Sequence, residues 1–365
     1  MQTATIKFER YQSTADEDCQ QRIIAAREKL GKRLVILGHH YQQEGVYRHA
    51  DFTGDSLKLS RHAAAVDAEY IVFLGVHFMA EVADILSRPD QIVMLPDLAA
   101  GCSMADMANL AKVERSRREL SKVLDFDETI TPLTYINSAA DLKAFCGEHG
   151  GIVCTSSNAT KMIEWSFAQR EKVLFFPDQN LGRWSGHKMG IPLEQMPVWD
   201  PDQPMGGLTE EQIKNAKILL WKGHCAVHQM FRPQSIIKFR NEYPEGQVIS
   251  HPEAPYEVCL QSDYVGSTEY IVKTIAESPV GSRWLVGTEL NLVNRLAERF
   301  KPEGKFVQFM SHVVCECSTM ARIDPQHLAW TLENLAEGNV VNQIKVLPQE
   351  AELAKLALDR MLEAS

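Results

Sequence analysis

Three times along the chain a short apolar run of strand type leads into a cysteine set among small or polar residues. Val93-Met94-Leu95 leads to Gly101-Cys102-Ser103, Ile218-Leu219-Leu220-Trp221 to Gly223-His224-Cys225, and Phe306-Val307-Gln308-Phe309 to Cys315-Glu316-Cys317. One such cysteine constrains little. Three, each closing a stretch with the same internal order, predict a threefold repeat that brings three thiolates to one point, where a soft metal centre would sit.

The order inside each stretch fixes the fold class. The first opens on Arg33-Leu34-Val35-Ile36-Leu37, which breaks at Gly38 into His39-His40-Tyr41. A helical stretch from Leu57 to Val66 follows, and then strands at Tyr70–Gly75 and Gln91–Pro96. The second has strands at Leu133–Asn137, Gly151–Cys154, Lys172–Asp178 and the run before Cys225. The third has strands at Gln247–His251 and Arg283–Glu289, the segment Tyr264–Thr268 leading into a helix, and the run before Cys317. Continuous apolar runs of this length are what strands covered on both faces require. Alternation with helices through short connections predicts an α/β protein of three αβα modules with parallel sheets. Ligands of such layers bind outside the carboxyl ends of the strands, where every unusual polar residue named here falls.

The boundaries read as a polar tail over 1–20, modules over 21–125, 126–228 and 229–320, and a C-terminal segment, 321–365, packing back on the body. The Gly- and Pro-rich stretch from Gly182 to Gly207 reads as a long loop.

Composition narrows the partners. With 365 residues the chain is long for a single core. A net charge of −10 argues against nucleic acid or a membrane surface as the main partner. No run reaches the roughly 18 apolar residues that span a bilayer, and Met1–Lys7 lacks the apolar region of a secretory signal. A cytoplasmic protein is expected, its eight cysteines serving as thiols or ligands, not as a disulfide framework.

Cys19, Cys146, Cys154 and Cys259 fit buried thiols. Cys102, Cys225 and one of Cys315 or Cys317 sit in polar turns after strands and are the ligand candidates. They form no C-x-x-C pair, so zinc-finger spacing is excluded, as is the tight run of ferredoxin-type clusters. Single ligands so far apart make sense where the fold converges them. Three thiolates on a four-iron cluster leave one iron open to act as a Lewis acid.

At this point the residues resemble a known family, the quinolinate synthases, through roughly residues 30 to 345. The matching segments include Gly38-His39-His40-Tyr41-Gln42, Gly54-Asp55-Ser56-Leu57, Tyr135-Ile136-Asn137-Ser138, Thr155-Ser156-Ser157-Asn158-Ala159 and Phe176-Pro177-Asp178-Gln179-Asn180-Leu181. Gly223-His224-Cys225-Ala226-Val227-His228, His251-Pro252-Glu253-Ala254, Gly266-Ser267-Thr268, Gly287-Thr288-Glu289 and Cys317-Ser318-Thr319-Met320 complete them. Each is weak alone; in this order the set is specific. The resemblance implies three αβα domains about a pseudo-threefold axis, with a 4Fe–4S cluster and the active site at the central junction. It assigns the ligands to Cys102, Cys225 and Cys317, leaving Cys315 as a neighbour. It implies condensation of iminoaspartate with dihydroxyacetone phosphate to quinolinate, phosphate and two waters, in NAD biosynthesis. An L-aspartate oxidase or dehydrogenase would supply the imine. Where many members carry Asn after the first histidine, this chain has His40.

Substrates with two carboxylates, a phosphate and a ketone need anion donors and a proton shuttle. Ser56, Ser156, Ser267 and Thr268 each stand where a strand turns into a helix, a position that suits anions. His39 and His251, ending the opening strands of the first and third modules, can donate to oxyanions or carry protons. The resemblance places both on substrate. Tyr41 and Glu253 are the expected acid/base pair, with the Glu253 carboxyl raised by burial. Tyr135 and Asn137 would orient substrate. His187, His224 and His228 are weaker candidates, and His49, His62, His149 and His327 read as surface. No GxGxxG or GxxxxGK[ST] loop appears, which fits a reaction without nicotinamide or ATP. An aconitase-type 4Fe–4S hydro-lyase is the alternative enzyme, and a cluster or zinc sensor the non-enzymatic one.

Overall fold

The computed structural model describes residues 4–313 and 316–365, so Cys315 lies outside the described residues. The protein is α/β, with three sheets. The first contains β1 (Leu34–His39), β2 (Phe52–Gly54), β3 (Tyr70–Leu74) and β4 (Ile92–Met94). The second contains β5 (Ile130–Tyr135), β6 (Ile152–Cys154), β7 (Lys172–Phe176), β8 (Val198–Trp199) and β9 (Ile218–Trp221). The third contains β10 (Gln247–Ser250), β11 (Tyr264–Val265), β12 (Arg283–Gly287) and β13 (Phe306–Phe309). A last strand, β14 (Gln343–Ile344), joins the first sheet.

The strand orders are β14-β4-β3-β1-β2, β6-β5-β7-β9-β8 and β11-β10-β12-β13. Set aside the edge strands β14 and β8, and each sheet has its second strand beside its first, then the third and fourth. All pairs are parallel except β14 with β4. This order reverses direction between the first and third strands, which opens a crevice at the carboxyl end of the first strand. The residues standing there are His39–Tyr41 after β1, Ile136–Asn137 after β5 and His251–Glu253 after β10. The sequence repeat therefore becomes three copies of one strand order, each with polar residues at the carboxyl end of its first strand.

The chain divides into two compact units. One comprises Met1–Cys102, Leu290–Arg295 and Glu316–Val346 and holds the first sheet. The other comprises Ser103–Glu289, Leu296–Cys315 and Leu347–Ser365 and holds the second and third. Strands β5, β6 and β7 are buried along their whole length. At the start of β7 even Lys172 is buried, its ammonium donating to the Lys214 and Ala216 carbonyls at 2.7 and 2.9 Å. A buried cation is tolerable only with such partners.

Two expectations are corrected. The segment read as a polar tail is packed from Ile6 onward. Tyr11 is buried, Phe8 stacks on His327 at 4.0 Å, and Ile6 exchanges hydrogen bonds with Asn334 and Trp330 of the helix Pro325–Ala336. Two aromatics three residues apart outweigh the polar composition. The stretch read as a loop from Gly182 carries most of the helix Gln179–Lys188 and then β8. Its glycine is a packing residue. A Cβ at Gly182 would lie 2.6 Å from Leu220 Cδ2 and 2.8 Å from the Phe175 ring, so only glycine lets this helix lie on β7 and β9.

Candidate active site and cluster ligands

In the first unit the site residues hang on a turn after β1. The Tyr41 N–H donates to His39 Nδ1 at 3.2 Å, and Gln42 N–H to the His39 carbonyl at 3.0 Å. Both histidines of the motif are buried while Tyr41 is half-buried. His40 Nδ1 lies 3.1 Å from the Tyr47 hydroxyl, so it holds the turn and faces inward. Arg295 grips the turn from outside. It donates to the carbonyls of His40 at 2.9 Å and Gln42 at 2.5 Å, pairs with Glu44 at 3.1 Å and lies over the Tyr47 ring.

The same unit ties this turn to both of its cysteine segments. Gln43 Nε2 donates to the carbonyls of Ala321 and Ile323, and Gln42 Nε2 reaches Met320 Sδ at 3.5 Å. The turn that starts at Cys317 closes with Ala321 N–H on the Cys317 carbonyl. Arg322 then pairs with Asp97, on the loop leading to Cys102, at 2.7 Å. Ser56 is the first residue of the helix Ser56–Ala65, whose cap is its neighbour Asp55.

In the second unit the chemistry is concentrated around Glu253. The Tyr135 hydroxyl donates to Glu253 Oε1 at 2.6 Å, and His228 Nδ1 faces Oε2 at 3.0 Å. The Glu253 N–H donates to His251 Nδ1 at 3.4 Å, and the rings of His228 and His251 are 4.8 Å apart. Asn180 Nδ2 donates to the Glu253 carbonyl at 3.2 Å. The Cys225 sulfur, a His228 nitrogen and a Glu253 oxygen all lie within 4.8 Å of one another. The turn carrying Cys225 is pressed on the end of β7. A Cβ at Gly223 would lie 2.2 Å from the Pro177 carbonyl oxygen, and the Gly223 carbonyl accepts from Gln179 N–H at 3.0 Å.

Burial alone would push the Glu253 carboxyl up, as expected from sequence. The His228 imidazole and the hydrogen bonds from His228 and Tyr135 outweigh it and hold the group down at about 2. The expectation of a raised Glu253 is thus corrected: it is a carboxylate at neutral pH. Burial moves His251 the other way, down to about 3. A neutral imidazole accepting at Nδ1 carries its proton on Nε2. Asp178 is the other buried carboxyl. Burial and the Glu253 charge push it up, against the backbone N–H groups it accepts. Its Oδ1 caps Leu181 N–H at 2.8 Å, while Oδ2 has no hydrogen-bond partner. Two carboxyls in one buried region are driven apart, Glu253 held down and Asp178 pushed up.

The remaining sequence candidates stand further out. Asn137 follows β5 with a buried Oδ1 that has no hydrogen-bond partner. Ser156 lies in the turn before the helix Ala159–Gln169, closed by Asn158 Oδ1 accepting from the Thr155 N–H at 2.7 Å. Ser267 caps the helix Thr268–Glu277, and Thr268 Oγ1 is buried without a hydrogen-bond partner. His228 and Asp178 were undervalued from sequence. The signal was available: His228 is three residues beyond Cys225, and Asp178 follows a strand end. His49, His62, His149 and His327 are half-buried, not surface residues, and His149 and His327 pair with Asp127 and Asp324.

The thiols sort into two classes. Cys19, Cys146, Cys154 and Cys259 are buried, and burial raises each of them. Cys102, Cys225 and Cys317 are each partly exposed at a strand end or turn. Metal ligation needs a deprotonated, reachable sulfur, so the donor set fits a thiolate-bound cluster at these three and disfavours the other four.

A family model described as quinolinate synthetase A protein matches residues 21–363. The chain belongs to the quinolinate synthetase A family. It is 54% identical to a quinolinate synthase of Acidobacterium capsulatum, over 98% of this chain and 95% of that one. It is 55% identical to that of Herpetosiphon aurantiacus, with the same coverage. With that of Streptomyces coelicolor it shares 53% identity over 96% of this chain and 89% of the relative. Family membership agrees with the α/β architecture. Among the described residues no helix is long and apolar enough to cross a membrane.

Proposed function

We propose that the protein is a quinolinate synthase, condensing iminoaspartate with dihydroxyacetone phosphate to give quinolinate, phosphate and two waters. The observation that carries this reading is the buried Tyr135–Glu253–His228 constellation beside Cys225, in a chain of this family. Cys102, Cys225 and Cys317 would hold a 4Fe–4S cluster, which supplies an open Lewis-acidic iron for a substrate oxygen.

Glu253 is the base. Ring closure requires protons to leave carbon, and the ionised Glu253 carboxylate is the buried group positioned to accept them. Tyr135 and His228 keep it oriented and stabilise its charge. The Nε2–H of His251 is a neutral donor for a substrate carboxylate or phosphate oxygen. In the first unit, His39 presents the same tautomer, and Tyr41 is the phenol that returns a proton to a departing hydroxyl. Asn137, Ser56, Ser156, Ser267 and Thr268 are the anion and carbonyl donors, of which Asn137 and Thr268 hold unsatisfied buried oxygens. Neither substrate demands a nucleotide cofactor. The unstable imine would come from an aspartate oxidase or dehydrogenase in the same cytoplasm.

The test is an anaerobic assay of the brown, cluster-loaded protein with freshly generated iminoaspartate and dihydroxyacetone phosphate. Equal formation of quinolinate and phosphate is expected. A loaded cluster that forms neither product would overturn the proposal.

A further inference from the structure

The second unit contains a cavity of about 570 Å³ whose lining includes none of Tyr135, His228, His251 and Glu253. That volume is in the range of small-ligand sites. Its walls include Gln179 and Arg183 of the helix Gln179–Lys188, Asn180 beside them, His224 and Gln229 from the turn around Cys225, and Tyr256. The inner wall is bonded to the constellation already described. Asn180 Nδ2 donates to the Glu253 carbonyl at 3.2 Å, and Gln229 N–H to the Cys225 carbonyl at 2.9 Å.

Charge in the cavity is unevenly satisfied. Lys222 pairs with Asp200 at 2.7 Å and Lys112 with Asp202 at 2.9 Å. Arg183 is different. It is half-buried, and among the described residues no carboxylate lies within ion-pair distance of it. Its recorded bond is from Nη2 to the Gln179 side-chain oxygen, at 3.5 Å. Burial lowers its affinity for its proton, partly opposed by the more distant Glu257. A guanidinium that has lost water without gaining an anion is unusual. Its planar fork matches the paired oxygens of a carboxylate or phosphate.

We propose that this cavity is a docking site for a small oxyanion, held by Arg183 with the Gln229 and His224 side chains beside it, and that an anionic substrate passes through it to Glu253. This deepens the functional reading above and rests on it only for the identity of that substrate.

The test is calorimetric titration of the cluster-loaded protein with inorganic phosphate and, separately, with succinate. The native protein is expected to bind at least one of them, and Arg183→Gln to weaken that binding about tenfold or more. Arg183→Lys should recover part of the loss. Gln229→Glu keeps Arg183 but adds a carboxylate to the wall, and should weaken binding by repulsion. Phosphate binding alone would assign the cavity to the phosphorylated substrate, and succinate binding alone to the dicarboxylate. In turnover, Arg183→Gln should raise the KM of that substrate about tenfold with a far smaller change in kcat, and with unchanged cluster absorbance. Binding of neither anion, or equal binding by native protein and Arg183→Gln, overturns the proposal. A protein that makes no quinolinate yet needs Arg183 to bind phosphate would sink the functional reading and leave this site standing. Quinolinate formation indifferent to Arg183 would do the reverse.

Discussion

The turns after β1 and β10 are the same backbone device put to different use. In each, a histidine at the strand end accepts at Nδ1 the N–H of the residue two further on, at 3.2 Å in one and 3.4 Å in the other. Both stand at the crevice that the strand order opens. The difference is in what the third residue is and how it is held. Glu253 is 3% exposed and has both carboxylate oxygens engaged. Tyr41 is half-buried, and its turn is gripped by Arg295 through backbone carbonyls. One device therefore gives a fixed, desolvated carboxylate in one module and a less buried phenol in another. A repeat can keep the position of a functional group while divergence of its surroundings chooses the chemistry.

The largest expected effect lies on the rigid side. Glu253→Gln should lower kcat by about 10³ while leaving cluster absorbance and substrate binding nearly intact, since it removes a proton acceptor and little volume. Tyr41→Phe should cost about 10 to 10²-fold. Should the order of the two be reversed in steady-state assays, the assignment of Glu253 as base and Tyr41 as acid fails. Truncating the outer supports sharpens the contrast through stability. Arg295→Met removes two charge-assisted bonds to carbonyls and the Glu44 pair, and should destabilise the protein by about 2 kcal/mol in urea unfolding. Asn180→Ala, the nearest counterpart at the Glu253 turn, loses two long neutral bonds, to the Glu253 carbonyl and to Gln229, and should cost about 1 kcal/mol. Equal losses would mean that the two turns are held alike.

The sheets were legible because parallel strands covered on both faces leave continuous apolar runs, and most of the runs named from sequence are strands. The site was legible in position: Tyr135, His251 and Glu253 stand together as the strand-end argument requires. Its electrostatics were not. The direction of Glu253 depends on His228, which lies 25 residues away in sequence and meets it only through the fold. Composition also misled where glycine was read as loop. Gly182 is there so that a helix can touch a sheet, a reason that exists only once Leu220 and Phe175 are in place. The packed N-terminal segment was missed because Phe8 and Tyr11 are two aromatics in a polar stretch, and their partners come from residues 327–334.

Acid provides the finest test of the difference between turns. Both His251 and His49 are held below the ordinary histidine value by burial, at about 3 and about 4. A histidine that resists protonation when folded binds fewer protons than the unfolded chain. Stability is therefore unaffected above pH ~6.5 and falls as pH drops below it, levelling off beneath the folded value. Glu253 acts in the same direction but lower down, its contribution present above pH ~4.3 and lost as pH falls toward about 2. Between pH 6.5 and 5 the losses should thus come from histidines, these two and His62, which burial also lowers. His251→Gln should flatten the urea stability profile over that interval by about 1 to 2 kcal/mol. His49 sits by Gln20 at the edge of the same unit as the β1 turn and is half exposed. Its shift is discounted for solvent, and His49→Gln should flatten the profile by about 0.5 kcal/mol. A larger effect at His49 than at His251 would mean that water reaches the β10 turn as freely as it reaches the edge, and the contrast between a sealed carboxylate and an open phenol would lose its physical basis.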